Sequence, residues 1–161
     1  MGLVIWLGSG AGGLMQVWVD ADACPRIIKE ILYRAAMRTE TSLILVANQP
    51  LQTPISPFIK KLRVAAGFDM ADNYIAQHLQ PGDIVITADI LLADKVITQQ
   101  GLVINPRGQL YTQENIKQTL AVRNLHAELR DSGMLSGGSA KLSEKEKQNF
   151  ANMLDRLLLR R

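Results

Sequence analysis

The sequence holds one cysteine and two histidines in 161 residues. A single thiol excludes an internal disulfide framework, and so few soft or imidazole ligands exclude a Cys/His zinc site. Any metal bound here is therefore held mainly by oxygen. Aromatic residues make up only 5% of the chain, which argues against single-strand binding on a platform of stacked rings. No apolar run approaches the roughly 18 residues of a spanning helix. The opening Leu3-Val-Ile-Trp-Leu7 lacks the basic flank of a signal peptide. These absences lead to the expectation of a cytoplasmic protein with no membrane partner. With 12 glycines, 6 prolines and 47% hydrophobic residues, the composition is neither collagen-like nor disordered. A chain of this size buries roughly 68–70% of its unfolded surface, enough for one domain.

The formal charge of +3 is unevenly spread. Residues 107–161 carry ten Lys/Arg against six Asp/Glu, whereas residues 1–106 carry eight against nine. The C-terminal part is the better candidate for contact with a polyanion, although a solvated helix face explains such an excess more often than nucleic acid does.

Gly8-Ser-Gly-Ala-Gly-Gly13 imitates a dinucleotide-binding G-x-G-x-x-G. A true fingerprint opens a helix, but residues 15–20 are β-branched and aromatic and read as a strand. Residues 1–14 therefore read as a flexible leader or an appended remnant, and residues 15–161 as a single domain. Alternating patterns then predict βα units: a helix from Pro25 to about Arg38, a strand over 42–47, an irregular stretch at 49–57 with three prolines, and a strand near 62–65. Asp69 stands where a helix N-cap belongs, and Pro81-Gly82 ends that helix. Residues 83–88 read as a buried strand, 91–100 as a helix stopped by Gly101, and 102–104 as a further strand. From about residue 112 the chain reads as helical, with Ile116, Leu120, Leu125 and Leu129 on one stripe up to Gly133. A loop follows at 136–140, and then an S-x-x-E capping box at Ser143 and Glu146 leads into Phe150, Leu154, Leu157 and Leu158. The pattern is that of an α/β fold with a mostly parallel central sheet and a C-terminal helical extension.

In such sheets ligands bind beyond the carboxyl ends of the strands. Those ends carry Asp20 and Asp22, Asn48, Thr87 and Asp89, then Asn105 and Arg107. Asp20 and Asp22 share a face if the strand continues through Ala21. Asp69 and Asp72, three apart at a helix start, also share one. Five carboxylates from three segments call for a cation, and hard oxygen ligands favour Mg²⁺ or Mn²⁺. Against this stands the common use of Asp in caps and turns, to which Asp69 is most open. Asp83 precedes its strand and reads as a turn residue, and Asp94 as a solvated helix residue. Cys24 reads as a small buried spacer, His78 and His126 as surface helix residues.

The motifs Val19-Asp-Ala-Asp-Ala-Cys-Pro25, Leu45-Val-Ala-Asn48, Ala66-Gly-Phe-Asp-Met-Ala-Asp-Asn73, Gly82-Asp-Ile-Val-Ile-Thr-Ala-Asp89, Asn105-Pro-Arg-Gly108 and Leu135-Ser-Gly-Gly138 closely resemble the YaiI/YqxD family of uncharacterised bacterial proteins from Met15 to about Leu158. The wider resemblance is to PIN-like nucleases, which implies a PIN-like three-layer α/β/α fold. It places Asp20 at their first-strand aspartate, Asp72 at their helix-start aspartate and Asp89 in their T-x-D motif. Those nucleases usually add an acidic residue on an early helix, where Glu30 or Asp22 stands in this chain. Ser139 replaces a proline common after the Gly-Gly pair.

The leading expectation is a metal-dependent, nuclease-like phosphodiesterase acting on RNA or another polynucleotide. Asp20, Asp72 and Asp89 are its catalytic carboxylates, and Asp22 and Asp69 further metal ligands. Asn48, Thr87, Asn105, Arg107 and Arg123 are candidates for holding substrate. A haloacid-dehalogenase-type phosphatase using Asp20-x-Asp22, with Thr87 on the phosphate, is the alternative enzyme. A non-catalytic module binding RNA or protein is the third reading.

Overall fold

The computed structural model describes residues 15–67, 69–131 and 141–159. The predicted leader 1–14, the Gly133 helix stop and the 136–140 loop lie outside the described residues. Six strands form one sheet: β1 (Gln16–Asp20), β2 (Ser42–Ala47), β3 (Ile59–Arg63), β4 (Ile84–Ile86), β5 (Leu102–Ile104) and β6 (Leu110–Tyr111). Their spatial order is β3-β2-β1-β4-β5-β6, all parallel except β6, which pairs antiparallel with β5. Five α-helices are described: α1 (Arg26–Thr39), α2 (Met70–His78), α3 (Ile90–Thr98), α4 (Gln113–Asp131) and α5 (Glu144–Leu158).

The central strands read as apolar runs because both of their faces are covered. Val17, Val19, Leu43, Leu45, Ile84, Ile86 and Ile104 pack with α1 and α5. The alternate residues Trp18, Ile44, Val46, Val85 and Val103 pack with α2, α3 and Ile116 of α4. The result is three layers, α/β/α, with the last two helices on opposite faces of the sheet rather than together in an extension. β3 lies at Ile59–Arg63 rather than 62–65. Its exposed Lys60, Lys61 and Arg63 conceal the strand pattern and guard an open edge against pairing with another chain. β6, two residues long, is too short to leave a pattern. On α4 only Ile116 of the expected stripe is buried, and Leu125 is 52% exposed.

Two local devices fix the frame. Asp83 is buried rather than an open turn residue, and its carboxylate accepts hydrogen bonds from Trp18 Nε1 at 3.0 Å, from the Gln16 N–H at 3.0 Å and from the Gln80 N–H at 2.8 Å. That clamp ties β1 to β4 at the edge opposite the strands' carboxyl ends. Burial pushes the Asp83 carboxyl upward in pKa, against the opposing pull of these hydrogen bonds. The second device is Gly108, at φ +92°, in the turn between β5 and β6. A Cβ there would stand 2.5 Å from the Phe150 nitrogen and 2.7 Å from the Asn149 carbonyl carbon. Only glycine lets this turn lie directly on α5. Beside it Arg107 Nη1 donates to both carboxylate oxygens of Glu146 at 2.7 Å. The expected capping box is present, with Ser143 Oγ accepting from the Glu146 N–H and Glu146 Oε1 from the Ser143 N–H.

Candidate functional site

The chain lays β2 and β3 on one side of β1 and β4 to β6 on the other. The switch in direction therefore falls between β1 and β4, where open α/β sheets form their ligand crevice. Asp20 ends β1 with the parity of Trp18, so it faces the α2/α3 layer. Thr87, just past β4, is buried and donates its hydroxyl to Asp20 Oδ2 at 3.2 Å. The same Oγ1 accepts the Asp89 N–H at 3.0 Å. Thr87 thus spends both hydrogen-bonding roles on the two aspartates and positions them; it does not stand free as a phosphate ligand.

Asp89 is the N-cap of α3, with Oδ1 accepting from the N–H groups of Leu91 (2.9 Å) and Leu92 (3.3 Å). Asp69 occupies the N-cap position of α2, but its left-handed backbone (φ 62°) leaves the side chain without a cap hydrogen bond. The capping explanation weighed for Asp69 therefore applies to Asp89. Asp69, Asp72 and Asp89 each offer a carboxylate oxygen within 4.8 Å of the others. Burial raises Asp72 first, then its carboxyl hydrogen bond to Asp89, then the charges of Asp20, Asp89 and Asp69, to a pKa of about 7. Asp20 is raised by burial, an effect opposed by the Thr87 hydrogen bond and reinforced by the charges of Asp89 and Asp22. Four carboxylates, Asp20, Asp69, Asp72 and Asp89, thus share one electrostatic neighbourhood.

Asp22 is not aimed with them. The strand stops at Asp20 and a 3-10 turn over Ala21–Ala23 redirects the chain. Asp22 then accepts from the backbone N–H groups of Asn48 (2.7 Å) and Gln49 (3.4 Å), bracing the end of β2. The shared face expected for Asp20 and Asp22 required an extended Ala21, which the turn removes. Glu30 pairs with Arg26 along α1.

The other candidate substrate residues divide. Asn105 is buried, and its amide nitrogen donates to Tyr111 Oη (3.0 Å) and Gln109 Oε1 (3.3 Å). Its Oδ1 accepts from the N–H groups of Arg107 and Gln109, so the side chain is occupied in building the β5–β6 turn. Arg107 is engaged by Glu146, and Arg123, exposed on α4, by its neighbour Asn124. Asn48 differs: its Oδ1 is buried without a hydrogen-bond partner. Such an orphan acceptor is costly unless a donor or cation meets it. Cys24 is a buried spacer as expected, its thiol pushed to about 12 chiefly by burial. His78 and His126 are exposed on their helices. Sequence reasoning missed Tyr111, whose strand was too short to read.

All-oxygen ligands of this kind would suit a hard divalent ion: adjacent ligands of an octahedral Mg²⁺ stand about 3 Å apart, so the three oxygens within 4.8 Å would have to close toward one another, and the charges of Asp20, Asp89 and Asp69 that raise Asp72 are the repulsion a cation would relieve.

No helix among the described residues is long and apolar enough to cross a membrane. A UPF0178 protein of Maridesulfovibrio salexigens is 57% identical over 146 residues, covering 91% of this chain and 97% of its own. UPF0178 proteins of Legionella pneumophila (strain Corby) and Shewanella amazonensis are each 56% identical over 146 residues, covering 91% of this chain and 99% and 98% of their own. No solved structure matches the chain significantly. Residues 18–160 match the family described as Uncharacterized BCR, YaiI/YqxD family. With that match over nearly the whole fold and relatives of such identity, the chain belongs to the YaiI/YqxD family.

Proposed function

We propose that the protein is a metal-dependent phosphodiesterase of PIN-like type, acting on RNA or another polynucleotide. The observation that carries this reading is the convergence of Asp69, Asp72 and Asp89, with Asp20 beside them, at the sheet's switch point. Mg²⁺ or Mn²⁺ held by Asp69, Asp72 and Asp89 would supply Lewis-acid polarisation of a phosphodiester and a more acidic attacking water. Asp72, with a pKa of about 7, gives up its proton near neutrality, and a bound cation would draw that ionisation to lower pH. Asp20 is held at Oδ2 by Thr87, and its second oxygen is the acceptor for a proton from the incoming water. Asp89 is rigid because its other hydrogen bonds belong to α3, which fixes the site on scaffold rather than loop.

The phosphatase alternative needs Asp22 beside Asp20 as an acid/base partner. Its hydrogen bonds to the end of β2 count against that role. The decisive experiment is a cleavage screen on single-stranded and structured RNA and DNA with Mg²⁺ or Mn²⁺, run beside Asp72→Asn and Asp89→Asn. Metal-dependent cleavage lost in both variants is the expected result. Cleavage unchanged in both variants rules the site out, and no cleavage of any polymer by the wild type leaves a non-catalytic RNA- or protein-binding module as the better reading.

A further inference from the structure

A cleft of about 620 Å³ lies at the carboxyl ends of β4 and β5, and one of its lining residues is Ala88, between Thr87 and Asp89 of the acidic site. This volume falls within the range of small-ligand sites. Its apolar wall comes from Pro25, Ile27, Pro106 and Leu142, and its polar side includes Tyr111 and Lys141. Tyr111 is only 5% exposed, and its hydroxyl oxygen accepts the Asn105 amide, which leaves the phenolic proton to be donated elsewhere. Arg107 and Lys147 also line the cleft, but Glu146 and Glu144 engage them. Lys141 is exposed and has no carboxylate partner among the described residues. The cleft also receives the start of α1, whose N-cap is Pro25 and whose first turn holds no acidic residue, an arrangement that favours an anion over a cation.

We infer that this cleft binds a nucleoside monophosphate unit, its phosphate near Lys141 and the Tyr111 hydroxyl and its ring against the Pro25, Ile27 and Leu142 wall. An apolar wall with one unpaired cation and one buried donor matches a ligand that is flat at one end and anionic at the other. Inorganic phosphate would leave the wall unused, and a nucleoside would leave Lys141 unused. The inference goes beyond the proposed cleavage, because binding here requires neither a divalent ion nor the aspartates. The unit is either a free mononucleotide or the phosphorylated end of a chain.

The test is calorimetric titration of the full chain in EDTA with AMP, GMP, CMP and UMP, beside the corresponding nucleosides and inorganic phosphate. At least one monophosphate should bind saturably, and its nucleoside and phosphate alone should bind at least about tenfold more weakly. Lys141→Glu should weaken the monophosphate about tenfold or more. Tyr111→Phe, which keeps the ring, should also weaken it, while Lys60→Glu, the same charge reversal at an exposed position on the edge strand β3, should leave it unchanged. Thermal melts establish that each variant is folded, and exposed Lys141 carries the test if Tyr111→Phe unfolds. A 5′-phosphorylated oligonucleotide that displaces the monophosphate identifies a chain end; failure to displace identifies the free nucleotide, and both support the cleft. Affinity unchanged in Lys141→Glu, or no saturable binding by any of the four into the millimolar range, overturns the inference whether or not the protein cleaves polynucleotides.

Discussion

Replacing Asp72 by asparagine should stabilise the metal-free protein, and the gain should grow with pH. The carboxyl's pKa rises from 3.8 to about 7 on folding, so the native state holds a proton across that interval that the unfolded state releases. Stability contributed by this group is intact below about pH 4 and is lost as pH rises toward 7. Each tenfold change in equilibrium is worth about 1.4 kcal/mol, so the full shift would carry roughly 4 kcal/mol. Asp72 is only half-buried, and solvent screening reduces this to about 1–2 kcal/mol. Asparagine keeps the shape and offers its amide N–H in place of the carboxyl O–H as donor toward Asp89, while removing the charge. In EDTA its melting temperature should match wild type near pH 4 and exceed it by about 2–8 °C at pH 8. Millimolar Mn²⁺ or Mg²⁺ should raise the wild-type melting temperature at pH 8 and should have much less effect on the variant, since a ligand of the native state stabilises by mass action. Differential scanning fluorimetry across pH, with and without metal, reads both effects. A variant less stable than wild type at pH 8 by more than at pH 4 refutes the repulsion argument, and an undiminished metal shift removes Asp72 from the ligand set.

Thr87→Val should remove the hydroxyl that lowers the pKa of Asp20, raising that carboxyl further and weakening metal-induced stabilisation increasingly as pH falls, as read by the same melts. Asp83→Ala should cost about 2–4 kcal/mol in urea unfolding, because the Trp18 indole and two backbone N–H groups lose their acceptor inside the protein; a cost below about 0.5 kcal/mol would show that water replaces the clamp. Gly108→Ala should destabilise by at least about 2 kcal/mol, since its methyl meets α5 backbone and its φ is positive, and an unchanged urea midpoint would mean that the turn moves freely off α5. Ser143→Ala should cost about 1 kcal/mol through the lost capping box, measured the same way.

The sheet was legible wherever both faces are buried, because β1, β2 and β4 are unbroken apolar runs. It was illegible at its two edges. β3 carries charge where an edge must discourage pairing, and β6 is fixed by the Asn105 turn rather than by its own residues. The acidic site was legible in composition but not in aim. Asp20, Asp72 and Asp89 come together because three independent elements end at one rim, whereas Asp22 is turned away by the 3-10 turn over Ala21–Ala23; a short acidic turn between the first strand and the Pro25 helix is legible in the sequence, but not the direction in which it aims Asp22. The occupation of Arg107 depended on Glu146, 39 residues away, and no local pattern encodes such a partner.

The seam between Gly108 and α5 has a consequence for the order in which the molecule is completed. β5 and the turn that follows it are made before the helix they rest on, so the sheet face formed by Val19, Leu45, Ile86 and Ile104 lacks Phe150, Leu154, Leu157 and Leu158 while the chain is still being synthesised. Until α5 arrives, the part of that face not covered by α1 is an apolar strip open to other chains, the kind of exposure that nascent α/β proteins hide with chaperones. A stop codon or frameshift within residues 144–158 would therefore yield a sheet face covered by α1 alone and a β5–β6 turn with no floor, and its fate in the cell should be aggregation or proteolysis, even though every carboxylate of the acidic rim had already been made.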